Sequence, residues 1–137
     1  MEAIIFIGIP ASGKSTYYEK HFKDTHLRLN LDMLGRRRRE RALFEAAVKT
    51  GTKIVIDNTN IDLAHRQKYI PLLKKNNYKI ISYYFHIPEE QSLKRNKERD
   101  RFVPEDVIWK LRKNLVQPTK DEGFDEVHII DNGNKEE

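Results

Sequence analysis

Gly8-Ile9-Pro10-Ala11-Ser12-Gly13-Lys14-Ser15 follows the spacing G-x-x-x-x-G-K-[ST]. Glycine at both ends lets the backbone curl, so that successive N–H groups and the positive end of a following helix converge on one anion. Lysine after the second glycine adds a charge suited to β- and γ-phosphate oxygens, and the Ser15 hydroxyl suits Mg²⁺. The stretch before it, residues 3–9, is apolar and β-branched, and residues 14–24 have helical spacing, so the motif falls between a predicted strand and a predicted helix. Gly8, Pro10, Ala11, Ser12, Gly13, Lys14, Ser15 and Thr16 are therefore predicted to hold the phosphates of a nucleotide, with Ser15 as the metal ligand.

Four further groups of residues have the types that phosphoryl chemistry uses. Asp32 closes an alternating stretch, residues 27–32, where its carboxylate either takes a proton from an attacking hydroxyl, holds a metal-bound water, or caps the next helix. Asp57-Asn58-Thr59-Asn60 follows the apolar run Ile54-Val55-Ile56, as in a Walker B element that orients Mg²⁺, although Asp and Asn also make Asx turns. Arg95 and Arg99, four apart on a predicted helix, share one face and suit either a lid over phosphates or a solvated basic surface. Arg36-Arg37-Arg38-Arg39 and Arg41 lie just beyond Asp32, either as a track for backbone phosphates or as ordinary surface charge. The five histidines form no ligand-spaced cluster and read as structural.

The elements that must position these residues alternate. Strands are predicted at residues 3–9, 53–56, 79–85 and 126–130, and residues 27–32 form an edge strand with Leu27, Leu29 and Leu31 on its inner face. Helices are predicted at 14–24, at 33–50 with Gly51 as its stop, from Asp62 to about residue 75 with Pro71 inside, and after Pro88 and Pro104. In the last, Val107, Ile108, Leu111 and Leu115 are expected inward. Such βα alternation implies an α/β fold with a mainly parallel sheet of about five strands, helices on both faces, and ligands at the carboxyl ends of the strands. One domain, residues 1–131, and a polar tail, 132–137, are expected from 137 residues without an internal linker.

Composition narrows the classes. With 38% hydrophobic and 34% charged residues the chain is neither disordered nor membrane-spanning in type, and with no cysteine it has neither disulfides nor thiolate chemistry. The first apolar stretch is too short to span a bilayer and lacks a basic leader, which points to an intracellular, cytoplasmic protein without membrane contact. A net charge of +5 and a pI near 9.4 favour polyanionic partners.

Taken together, the loop, Asn30-x-Asp32, Asp57 to Asn60 with Arg66 beyond, Arg95-Asn96-x-x-Arg99 and Pro118-Thr119-x-x-Glu122-Gly123-Phe124 resemble the kinase module of polynucleotide 5′-hydroxyl kinases, in the P-loop kinase superfamily. The resemblance spans nearly the whole chain and implies a P-loop fold with a basic helical lid, ATP and Mg²⁺ as cofactors, and a 5′-hydroxyl DNA or RNA end as acceptor. It implies Asp32 as general base, Arg95 and Arg99 on ATP phosphates with Arg99 catalytic alongside Lys14, and Asp57, Asn58, Thr59, Asn60 and Arg66 beside the acceptor and metal. Leu31 stands where the family often has arginine, and Gly35 where phage-type members have an acceptor-contacting arginine, for which Arg36 is the candidate substitute. No Asp-x-Asp-x-Thr signature is present, so a 3′-phosphatase activity is not expected of this chain.

Two other readings use the same loop: a small-molecule kinase acting on a nucleoside, nucleotide or sugar, and a nucleotide-dependent switch without acceptor chemistry. Asp32-Met33-Leu34-Gly35 matches the D-x-x-G of GTPases but follows the loop too closely, and no Asn-Lys-x-Asp signature accompanies it.

Overall fold

Strand β1 (Glu2–Ile7) is apolar on both faces, which suits only the interior of a covered sheet, and it lies at the centre of one. The computed structural model describes residues 1–98 and 103–131. Around β1 stand β2 (Leu27–Leu29), β3 (Ile54–Asp57), β4 (Lys79–His86) and β5 (Glu126–Asp131), in the order β2-β3-β1-β4-β5. Every neighbouring pair is parallel, with Ile4 opposite both Val55 and Ile81. The chain thus winds to one side of β1 and then to the other, and the crevice for a ligand lies where the direction reverses, at the carboxyl ends of β1 and β3.

Alternate residues of β1 feed two cores. Ala3, Ile5 and Ile7 pack with Phe44, Ala47 and Val48 of α3 (Arg37–Thr50) and Leu73 of α5 (Ile70–Lys75), while Ile4 and Phe6 pack with Tyr18 of α1 (Lys14–His21). A third, smaller cluster joins Ile9 of the phosphate loop to Ile87 and to Ile108 of α7 (Glu105–Asn114). The lid is anchored there. Ser92 of α6 (Glu89–Lys97) donates to the Pro10 carbonyl at 3.3 Å, and Asn96 Oδ1 accepts from the Val103 N–H at 2.9 Å.

Several element boundaries depart from the sequence reading. The edge strand stops at Leu29, because Asn30 turns the chain: its Oδ1 accepts from the Met33 N–H at 2.9 Å and caps α2 (Leu31–Leu34), while its Nδ2 donates to the Asp57 carbonyl at 2.7 Å. Leu31 therefore opens a helix instead of ending a strand, and Leu27 is exposed. The helix predicted at 33–50 is two, since Gly35 takes φ +82 and its N–H closes back on the Leu31 carbonyl at 2.8 Å. Leu43 faces out, whereas Gly51 ends α3 as expected.

The helix expected after Asp62 also divides, into α4 (Leu63–Arg66) and α5, with Pro71 in the first turn of the second, where its missing N–H has no helical partner to lose. Pro88 and Pro104 occupy cap positions one residue before their helices, and Val107 faces solvent while Ile108 is fully buried. Among the described residues no helix is long and apolar enough to cross a membrane. The tail expected at 132–137 lies outside the described residues.

Candidate nucleotide and acceptor cleft

A cleft of about 1100 Å³ opens at the carboxyl ends of β1, β2 and β3. Its donor side is the phosphate loop. Pro10, Ala11, Gly13, Lys14, Ser15 and Thr16 line it, with Ala11 at φ +64 and Gly13 at φ +100 giving the loop its curl. Gly13 stands at the N-cap of α1 and brings no side chain to the first-turn N–H groups, the arrangement in which a helix receives an anion. The Lys14 ammonium donates to the Gly8 and Ile9 carbonyls at 2.8 and 2.9 Å. Gly8 and Ser12 lie beneath the lining: a Cβ at Gly8 would stand 2.7 Å from Ser12 Oγ, and the Gly8 N–H bonds the Thr59 carbonyl at 3.1 Å. Arg95 lines the cleft from α6, while Arg99 is outside the described residues.

Between loop and β3 lies a residue that sequence reasoning passed over. Arg28 donates through Nε to Asp57 Oδ2 at 2.7 Å and through Nη2 to Ser15 Oγ at 2.9 Å, and Nη2 also forms an ion pair with Asp57 Oδ2 at 2.7 Å. Asp57 itself is 1% exposed. The two oxygens are aimed at one point that already accommodates positive charge, and a hydroxyl with a carboxylate is the hard-oxygen donor set that Mg²⁺ takes, so these residues fit the ion. The signal was present, since Arg28 shares the polar face of the alternating stretch with Asn30.

The wall facing the loop is a network of side chains. Asp32, in the first turn of α2, is exposed and lines the cleft, together with Asn58, Thr59, Asn60, His65, Tyr69 and Arg37. Asn58 Oδ1 accepts from the Leu31 N–H at 2.8 Å and so sets the start of Asp32's helix. Its Nδ2 donates to Glu40 Oε2 at 2.5 Å, and the Tyr69 hydroxyl donates to Glu40 Oε1 at 2.6 Å. Burial, reinforced by the Glu40 carboxylate, pushes the Tyr69 hydroxyl well above its ordinary pKa. Hydrogen bonds from the His65 side chain and N–H hold the Asp62 carboxyl below its usual value, and this pair orients His65 at the cleft wall, a position that histidine spacing along the chain does not reveal.

Two expectations need correction. Arg66 is not part of the cleft lining: fully buried, its guanidinium donates to the Asn60, Ile61 and Val116 carbonyls and to both oxygens of Glu122. Glu122 is fixed in turn by a capping box with Thr119, so the Arg66 and Thr119-x-x-Glu122 motifs clamp the loop after β3 to the approach to β5. Arg36 precedes α3 in extended conformation and stays out of the lining, which Arg37, the next residue, enters instead. Asn60 is nearly buried, holding the β1 terminus through Nδ2 to the Phe6 carbonyl at 2.8 Å. No cluster of His, Asp and Glu able to hold a metal occurs among the described residues.

A parallel five-stranded sheet with a phosphate loop after its central strand, covered by a helical lid, is the fold of P-loop kinases. Residues 37–118 match the profile of a family described as an AAA domain, and the chain belongs to that family. It is 31% identical over 138 residues to a protein of Acanthamoeba polyphaga mimivirus whose name assigns it bifunctional polynucleotide phosphatase/kinase activity, and 27% identical over 137 residues to a bifunctional polynucleotide phosphatase/kinase of Schizosaccharomyces pombe. Each alignment covers 94% of this chain and 33% of the relative, so the chain spans about a third of the length of the curated relatives it matches. The fold is similar to Chaetomium thermophilum Kti12 in complex with ADP-AlF3 (TM-score 0.71, 18% identity, 98% of this chain and 91% of that one). It is also similar to a sugar kinase from Janibacter sp. HTCC2649 (TM-score 0.73, 16% identity, 96% and 85%).

Proposed function

We propose that residues 1–131 act as one kinase unit that transfers the γ-phosphoryl group of ATP to the 5′-hydroxyl of a DNA or RNA end. The observation that carries this reading is the shared cleft, which has Lys14 and Ser15 on one wall and Asp32 and Arg37 on another. A donor site alone would serve a switch, whereas a carboxylate beside it serves an acceptor hydroxyl. The names of the two curated relatives favour a polynucleotide as that acceptor.

In the mechanism the loop N–H groups and Lys14 receive the β- and γ-phosphates, and Arg95, with Arg99, adds lid charge as negative charge spreads over the migrating group. Asp32 accepts the proton that the 5′-hydroxyl sheds as it attacks. Ser15 and Asp57 would hold Mg²⁺, which would supply positive charge against the phosphates of the nucleotide. Arg37 provides a guanidinium for an acceptor phosphate, in place of Arg36. Asn58, Thr59 and Asn60 shape the wall against which the acceptor rests.

Incubation with γ-labelled ATP, Mg²⁺ and a panel of 5′-hydroxyl oligonucleotides, nucleoside 3′-monophosphates and sugars tests this reading. Label is expected on the oligonucleotides. Label on sugars alone points to a small-molecule kinase, and tight ATP binding without transfer to any acceptor points to a switch.

A further inference from the structure

Arg28 belongs to none of the motifs described above, yet its guanidinium stands between the two oxygens best placed for a divalent ion. Nη2 is 2.9 Å from Ser15 Oγ and in ion-pair contact with Asp57 Oδ2 at 2.7 Å, and Nε donates to the same carboxylate oxygen at 2.7 Å. The carboxylate is almost wholly buried, and a buried carboxylate left without a partner is strongly disfavoured, so Asp57 needs a cation whether or not nucleotide is bound. An ion held by Ser15 Oγ and Asp57 Oδ2 at about 2.1 Å would stand at the point Nη2 now fills, and the two cations cannot occupy that point together.

We propose that Arg28 is the resident cation of this position: it holds Ser15 and Asp57 together before nucleotide arrives and is exchanged for the divalent ion that accompanies the nucleotide. This deepens the nucleotide-binding reading and rests on it. The side chain has a route for the exchange. It projects from β2, an edge strand, retains 22% exposure, and lies over the Tyr18 ring with 5.5 Å from Cζ to the centroid, while the Tyr18 hydroxyl is tied to the His26 carbonyl. Once off Ser15, the guanidinium remains within the cleft lining and meets phosphate oxygens, with which it forms charge-assisted hydrogen bonds. Arg28 is a positioning residue, and its signature is a low dependence of nucleotide affinity on Mg²⁺.

The experiment is calorimetric titration of ADP into the wild type, Arg28→Gln and Arg28→Lys, each with millimolar Mg²⁺ and with EDTA. Wild-type affinity is expected to change less than about threefold between the two conditions, whereas Arg28→Gln loses about tenfold without metal and recovers it with Mg²⁺. Arg28→Lys, charged but unable to bridge both oxygens, should fall between, and it serves as the test if the glutamine variant does not fold. In parallel, Mg²⁺ without nucleotide should raise the melting temperature of Arg28→Gln and leave the wild type unmoved. Equal Mg²⁺ dependence of ADP affinity in wild type and variants overturns the exchange. If the wild type binds no ADP in either condition, the nucleotide reading itself fails, and the melting comparison still decides whether Arg28 and the ion compete.

Discussion

On the donor side of the cleft the loop largely shapes itself: Lys14 reaches carbonyls five and six residues before it, and the loop conformation comes from its own backbone at Ala11 and Gly13, with Arg28 and Ser92 reaching in from β2 and α6. On the acceptor side nearly every bond crosses between elements. Asn58 reaches Glu40 across 18 residues, and Tyr69 reaches Glu40 across 29. A wall built from backbone tolerates change in its side chains except where one carries charge to the reaction. A wall built from a buried polar network loses shape when any member is removed, because each leaves a partner unsatisfied.

The largest expected effect lies on the donor side. Lys14→Ala should lower phosphoryl transfer by about a thousandfold, since the migrating charge loses its loop cation, with little change in melting temperature. Activity within tenfold of wild type in a single-turnover assay removes Lys14 from the chemistry.

Next comes Asp32→Asn, which should cut transfer by about a hundredfold while ADP affinity holds, because the amide keeps the size of the side chain but cannot accept a proton. Asn30, not Asp32, caps α2, so the helix should survive the change. Near-normal turnover with normal ADP binding would take Asp32 out of the mechanism.

The acceptor network gives a smaller and different signature. Glu40→Gln should destabilise the fold by about 1–2 kcal/mol by disturbing the bonds from Asn58 and Tyr69, seen as a melting temperature lower by roughly 3–10 °C. Acceptor KM should rise several-fold with ADP affinity unchanged; a parallel loss of ADP affinity shows instead that the two walls are coupled.

The smallest effect is alkaline. The Tyr69 hydroxyl is raised above its ordinary 10.0, so the stability it contributes is complete below pH 10 and is lost as pH climbs toward the raised value. Tyr69→Phe should therefore show a shallower fall of melting temperature above pH 10 than the wild type. Identical slopes would mean that Tyr69 titrates in the folded chain as it does unfolded.

Much of the donor side is legible in the order of residues, because glycine spacing and apolar runs act over a few positions. Gly8 to Ser15 specify a loop between strand and helix, and Ile54-Val55-Ile56 and the β1 run specify strands buried on both faces, from which a parallel sheet follows. Asp62 as a cap and Gly51 as a stop are equally local.

What only the tertiary structure decided is which polar side chain meets which. Asn30 ends β2 early because its amide finds the Asp57 carbonyl on the neighbouring strand, a partner that no pattern within residues 27–32 announces. Arg66 has the composition of a ligand contact and becomes a buried clamp because Glu122, 56 residues away, folds beneath it. Arg37 rather than Arg36 enters the cleft because the chain becomes helical between them. Periodicity and turn chemistry act through near neighbours along the chain, whereas a side chain's hydrogen-bond partners depend on strand register and helix docking, and those are set by packing two cores against one sheet.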